Sequence, residues 1–258
     1  MTRRTIVVTG AASGIGAAIC KALTREGARV IAVDRNPVTG LEESLQADLT
    51  RPDEVAALIK ALPEGLDGLA NSAGLPPTAA AEAVLRVNLI GLKQLTLGLI
   101  PKLAEGASIV NLASLAGVAW PDHLPQVRRT LALQPEDDVA GFCAAEGLNL
   151  PDGRSYFLSK EALIVWTLQN RWTWRSRNIT MTSVSPGPVE TPILKDFVAT
   201  LGARVEEDMR VMDRPGRPED IAPVVCFLLS KAAKWLRGTN IETDGGMNRH
   251  ILSQQHGL

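Results

Sequence analysis

The chain has little of what builds disulfide frameworks, metal centres or polyanion-binding faces. Its three cysteines, Cys20, Cys143 and Cys226, are odd in number and scattered, with no C-x-x-C pair and no histidine at ligand spacing. Neither disulfides nor zinc is indicated, and a reducing compartment, the cytoplasm, is expected. His123, His250 and His256 stand in polar or terminal stretches, where a solvated side chain is the default. An excess of charge is also missing: 27 basic against 28 acidic side chains leave a net charge of -1, and no long-range field favours nucleic acid. The longest apolar runs, such as 222–229 and 162–166, fall far short of the roughly 18 residues of a membrane span. Arg3 and Arg4 before Ile6-Val7-Val8 faintly suggest a secretory leader, but the run stops at Thr9-Gly10 and no cleavage pattern follows. A first β-strand is the expectation there.

What is present suits one sizeable core: 258 residues, 45% hydrophobic, read as a single domain over 1–258. A β-branched run at 5–8 ends in a glycine turn, and 17–25 then show helical spacing. Strand patterns return at 29–33, 68–71, 108–112, 179–184 and 239–243. Helical patterns fill 53–62, 82–100, 156–175 and 218–229. Apolar strands alternating with helices predict an α/β fold, a Rossmann-like doubly wound parallel sheet covered on both faces. Residues 119–153, with Pro121, Pro125, Pro135 and Pro151, break the rhythm and read as an insertion, expected to act as a substrate-facing lid.

Between the first strand and helix stands Thr9-Gly10-Ala11-Ala12-Ser13-Gly14-Ile15-Gly16. Glycines there permit a tight turn and let backbone approach a pyrophosphate at the helix N-terminus. The spacing is G-x-x-x-G-x-G, so the general dinucleotide fingerprint matches in mechanics only. Asp34 ends the second strand 18 residues after Gly16, where a carboxylate can accept from adenosine ribose hydroxyls and repel a 2′-phosphate. Arg35 beside it is the complication, because an Arg turned inward could accommodate that phosphate.

The glycine turn, Asn71-Ser72-Ala73-Gly74, Ser114 after a strand, Tyr156-Phe-Leu-Ser-Lys160 on a helix and Pro186-Gly187-Pro188-Val189-Glu190-Thr191 occur together and in order. In this the chain resembles the short-chain dehydrogenases/reductases, within the branch that holds coniferyl alcohol dehydrogenases and bacterial 3α-hydroxysteroid dehydrogenases. The resemblance implies an oxidoreductase with NAD along the C-terminal strand edge. Its cofactor contacts would be Gly10, Ser13, Gly14, Ile15, Gly16, Asp34, Arg35, Asp48, Leu49, Asn71, Ala73, Gly74, Tyr156, Lys160, Pro186, Gly187, Val189 and Thr191. It further implies no metal and assembly as a homodimer or homotetramer. The chain departs from the family in two places: only a short link joins Asp34 to Asp48-Leu49, and Ser114 and Tyr156 lie 42 residues apart because of the insertion.

Tyr156 and Lys160, four apart, share a helix face, so an ammonium can stabilise a phenolate that otherwise forms only near pH 10. Tyr156 can then exchange a proton with an alcohol or carbonyl oxygen. By resemblance, Ser114 orients that oxygen, Asn88 anchors a water-linked proton path to Lys160, and Lys160 holds the nicotinamide ribose. Trp166, Trp172 and Trp174 read as subunit contact rather than substrate wall. The substrate is expected to be read by the insertion and by residues 190–215. It is an aromatic or alicyclic alcohol, or, in the alternative, an anionic sugar met by Arg154, with Arg128 and Arg129 nearby. A catalytically silent NAD-binding sensor is the rival class, one that would ordinarily have lost Tyr156 or Lys160.

Overall fold

β1 (Thr5–Thr9) is buried beyond its first residue and starts the chain in the middle of a sheet. From there β2 (Arg29–Asp34) and β3 (Glu43–Gln46) extend one way, and β4 (Leu66–Asn71), β5 (Leu103–Leu112), β6 (Thr180–Pro186) and β7 (Asn240–Thr243) the other. All neighbours pair in parallel, in the order β3-β2-β1-β4-β5-β6-β7. The order reverses between β1 and β4, and such a switch point opens a crevice at the C-terminal strand ends. This computed structural model describes residues 3–202 and 211–258. The expected substrate segment 190–215 therefore lies partly outside the described residues.

Two apolar layers cover the sheet. On one face α1 (Gly14–Arg25) and α9 (Pro218–Leu228) pack Ile19, Leu23 and Val225 against Ile6, Val8 and Val110. On the other, α2 (Pro52–Ala61), α3 (Ala81–Leu85), α4 (Leu92–Leu99) and α7 (Arg154–Gln169) enclose Val7, Leu69 and Ile109. A π turn, Arg86–Gly91, joins α3 to α4. The continuous helical run Ala81–Lys102 is long and apolar enough to cross a membrane, contrary to the expectation from short apolar runs, but 67% of its most apolar window is buried inside the fold.

Most of the insertion is built into the fold rather than laid over the crevice. It folds into α5 (Leu124–Ala132) and α6 (Val139–Ala145), which lie on α7 and α3 respectively. Val127, Leu133, Val139, Cys143 and Leu148 complete the core there. Lys93 of α4 donates to the carbonyls of Leu131 (2.6 Å) and Leu133 (3.1 Å), satisfying the C-terminal end of α5. Only Ala119, Pro121 and Asp122 of the insertion face the crevice. The sequence pattern misses these helices because prolines break its periodicity.

The helical pattern predicts that α7 reaches Arg175, but it ends at Gln169, where the Asn170 side chain donates to the Trp166 carbonyl at 2.8 Å. The three tryptophans therefore share no helix face. Trp166 is buried in the core, Trp174 packs against it in part, and Trp172 is exposed.

Because the insertion contributes five buried apolar side chains, each stabilising by about 1.5–3 kcal/mol, its loss is comparable to a whole domain's stability of about 5–15 kcal/mol. Replacing 124–148 with a short Gly-Ser link is expected to abolish cooperative thermal unfolding. Scanning calorimetry checks this, and a sharp transition near the wild-type Tm would show the insertion to be dispensable.

Candidate active site

One cleft of about 930 Å³ runs along the C-terminal strand ends. At its β1 end the glycine turn is pressed against the end of β4, where Thr9 Oγ1 accepts from the amides of Ser72 (3.0 Å) and Ala73 (3.1 Å). Gly10 has φ +69°, and a Cβ there would lie 2.7 Å from the Ala73 nitrogen. A Cβ on Gly16 would lie 2.1 Å from the Gly10 carbonyl oxygen. Ser13 caps α1 without a side-chain bond, leaving the helix N-terminal amides open toward the cleft. Asp34 closes this end: its carboxylate accepts from the amides of Ala12 (3.0 Å) and Asn36 (2.9 Å). Arg35, Asp48, Leu49, Ala73 and Gly74 also line it, and Asp48 accepts from the Thr50 amide at 2.8 Å. Pro186 at the end of β6 and Gly187, Val189 and Thr191 beyond it also line the cleft.

At the β5 end, Ser114 heads a short turn, Leu115–Gly117, and its hydroxyl accepts from the Ala116 amide at 3.2 Å. Gly117 lies flat on α7: a Cβ there would meet the Lys160 carbonyl oxygen at 2.7 Å. That close approach brings Ser114 beside Tyr156, the chain's only tyrosine. Burial pushes the Tyr156 phenol up to about 12, with the Ser114 hydroxyl pulling the other way. Lys160 is buried one turn on, its Nζ 5.6 Å from the Tyr156 ring centre and donating to the Leu112 carbonyl at 2.7 Å. Burial pulls it down to about 8. Phe157 and Phe197 meet the Tyr156 ring edge-on at 6.4 and 4.9 Å, Phe197 from α8 (Leu194–Leu201).

Asn88 does not line the cleft. It is fully buried in the π turn, where its side chain accepts from the Leu75 amide (2.7 Å) and donates to the Leu75 carbonyl and to Ser159 Oγ. A Cβ on Gly74 would sit 3.5 Å from Asn88 Oδ1 and 3.7 Å from Lys160 Nζ, so both side chains border that glycine.

Residues 4–125 match the short chain dehydrogenase family, and residues 141–248 match a family described as enoyl-(acyl carrier protein) reductase. Over 254 residues the chain is 39% identical to a coniferyl-alcohol dehydrogenase of Pseudomonas sp. (strain HR199 / DSM 7063), covering 96% of this chain and 97% of that one. The chain belongs to the short-chain dehydrogenase family. It is 29% identical to a 3-alpha-hydroxysteroid dehydrogenase/carbonyl reductase of Comamonas testosteroni, covering 94% and 96% of the two chains. The structure of a 3-alpha-hydroxysteroid dehydrogenase from Pseudomonas sp. B-0831 complexed with NADH superposes with a TM-score of 0.80 at 30% identity, covering 97% and 99%. This dehydrogenase is accordingly an oxidoreductase that uses a nicotinamide cofactor, and the open glycine turn fits one.

Two expected site residues serve elsewhere. Asn71 lies beneath the cleft rather than in it, donating to Thr96 Oγ1 and Asn111 Oδ1 at 2.9 Å within the buried sheet. Arg154 does not face the cleft either: its guanidinium grips both oxygens of Glu161 at 2.8 Å, with Gln126 filling the rest of the fork. Glu161 is 1% exposed, and burying a carboxylate requires such a partner. His123 is likewise not simply solvated, since its Nδ1 lies 2.8 Å from Glu161 Oε1. Helical periodicity also misses α10 (Met247–His256), whose Ile251, Leu252 and Gln255 wall the cleft. An apolar pair at 251–252, one turn beyond Met247, is the available signal.

Gly16→Ala is expected to displace the glycine turn and lower NADH affinity by about tenfold or more, equivalent to roughly 1.4 kcal/mol. A fluorescence titration with unchanged Kd would show that the turn tolerates the methyl.

Proposed function

We propose that the chain is an NAD-dependent dehydrogenase of neutral aromatic or alicyclic alcohols, working through Ser114, Tyr156 and Lys160. The observation that carries this is the buried Tyr156–Lys160 pair, set beside Ser114 and edged by Phe157 and Phe197. When bound, the nicotinamide supplies the hydride acceptor for oxidation or the donor for reduction. Ser114 orients the substrate oxygen, and the Tyr156 oxygen takes the alcohol proton or returns it to a carbonyl. The Lys160 ammonium, held by the Leu112 carbonyl, opposes the burial that raises the phenol. Asn88, which borders Gly74 as Lys160 does, extends the route by which the proton leaves.

Asp34 supports NAD over NADP, because its carboxylate at the β2 end would repel a 2′-phosphate. Neutral substrates are supported by the cations. Among the described residues, those lining the cleft are Arg35, Lys160 and Arg249, and Arg249 is paired with Glu242 at 2.6 Å. The anionic-sugar alternative relied on Arg154, Arg128 and Arg129, but Arg154 and Arg129 pair with Glu161 and Glu146, and none of the three is among the residues lining the cleft. The face of α7 that the resemblance gave to a subunit contact is covered by α5, so a homo-oligomer would form through another surface.

A panel of coniferyl alcohol, steroid alcohols and acidic sugars, followed by NADH absorbance, tests the reading. Turnover is expected with NAD on the first two groups and at least about tenfold lower kcat/KM with NADP. Preference for acidic sugars or for NADP would overturn it.

Oxidation needs the Tyr156 oxygen free to accept a proton, so its rate is expected to rise with pH. Removing the ammonium in Lys160→Ala raises the phenol further and moves that ascending limb toward higher pH by at least about one pH unit. Tyr156→Phe is expected to lower kcat by about a hundredfold or more while NADH affinity stays near wild type. A pH profile that ignores Lys160→Ala, or a Tyr156→Phe variant that keeps turnover, would assign the base elsewhere.

A further inference from the structure

Five carboxylates line the cleft among the described residues: Asp34, Asp48, Asp122, Asp196 and Glu242. Four already have partners. Asp34 and Asp48 accept backbone amides, Asp196 accepts from Thr78 Oγ1 at 2.7 Å, and Glu242 pairs with Arg249. Asp122 accepts no hydrogen bond from any described side chain or amide, and it stands exposed where the segment leaving Ser114 borders the cleft.

Its place there is fixed from behind. Trp120–His123 is a single 3-10 turn, in which residues three apart share a side. Trp120 packs against the core, and His123 is tied to the buried Glu161 at 2.8 Å. The Asp122 amide donates to the Ala119 carbonyl at 3.1 Å, and Pro121 stiffens the backbone before it. With Trp120 packed on the core and His123 tied to Glu161, Pro121 and Asp122 are held at the border of the cleft. Glu161 follows Lys160 directly on α7, so the helix that carries the ammonium also fixes the position of this carboxylate.

We propose that Asp122 is a specificity residue, which selects neutral aromatic alcohols carrying a hydroxyl donor at the end remote from the reacting carbon. The inference rests on the reading of Ser114, Tyr156 and Lys160 as the reacting end. A solvated carboxylate loses water when a substrate fills the cleft beside it, and that loss is made good only if the substrate returns a donor. A phenol does so through a charge-assisted hydrogen bond, whereas its methyl ether leaves the carboxylate unpaired. A carboxylate or sulfonate at the same place is repelled.

The test compares 4-hydroxycinnamyl alcohol with its 4-O-methyl ether, by NAD-linked turnover and by binding to the enzyme–NADH complex. The wild type is expected to favour the phenol by about tenfold or more in kcat/KM, through KM. Asp122→Ala is expected to bring the ratio near one while leaving kcat on the ether unchanged, and Asp122→Arg to improve KM for a 4-carboxyl analogue. If wild type handles phenol and ether alike, or the preference survives Asp122→Ala, the inference is overturned and the aromatic-alcohol reading stands. If no aromatic alcohol is turned over or bound, that reading fails and this inference falls with it.

Discussion

The ammonium of Lys160 is buried at the end of the sheet, and the surrounding architecture is arranged around keeping it there. An ammonium out of water is costly unless hydrogen-bonded, and here the last carbonyl of β5, that of Leu112, receives it. The helix that presents it, α7, is buried along most of its length, from Ser155 to Thr167 with only Phe157 less than fully enclosed. A helix enclosed on every side needs cover on every side. The sheet supplies one wall, α3 and its π turn a second, and α5 of the insertion a third. The insertion is thus the outer wall of α7, leaving the chain at the Ser114 turn and returning it to the start of that helix.

Much of this is legible in the residues. The parallel alternation comes through because buried strands such as Ile6-Val7-Val8 are apolar on both faces, as only strands covered by helices on either side need to be. The glycine turn comes through because positive φ at Gly10 and the crowding of Gly16 against it exclude other residues. Elements whose apolar positions are few or interrupted do not come through. β3 is a polar edge strand, Glu43-Ser44-Leu45-Gln46, held beside β2 partly by Arg29 gripping Glu43 at 2.6 and 2.8 Å. α5 and α6 hide among prolines, and α10 is mostly polar because one side of it faces solvent.

Ownership of charge is the harder matter, and it cannot be read from spacing. Arg154, two residues before Tyr156, is the natural candidate for an anion when only chain distance is known. What claims it is Glu161, two helical turns on, a buried carboxylate that requires such a partner. The same buried carboxylate that holds Arg154 away from the cleft also ties down His123, next to Asp122 at the cleft border. On the proposed reading, a cleft with few uncommitted cations and an uncommitted carboxylate at its border suits neutral ligands that bring donors. On that reading the preference originates in the packing behind α7 as much as in the residues that line the cleft.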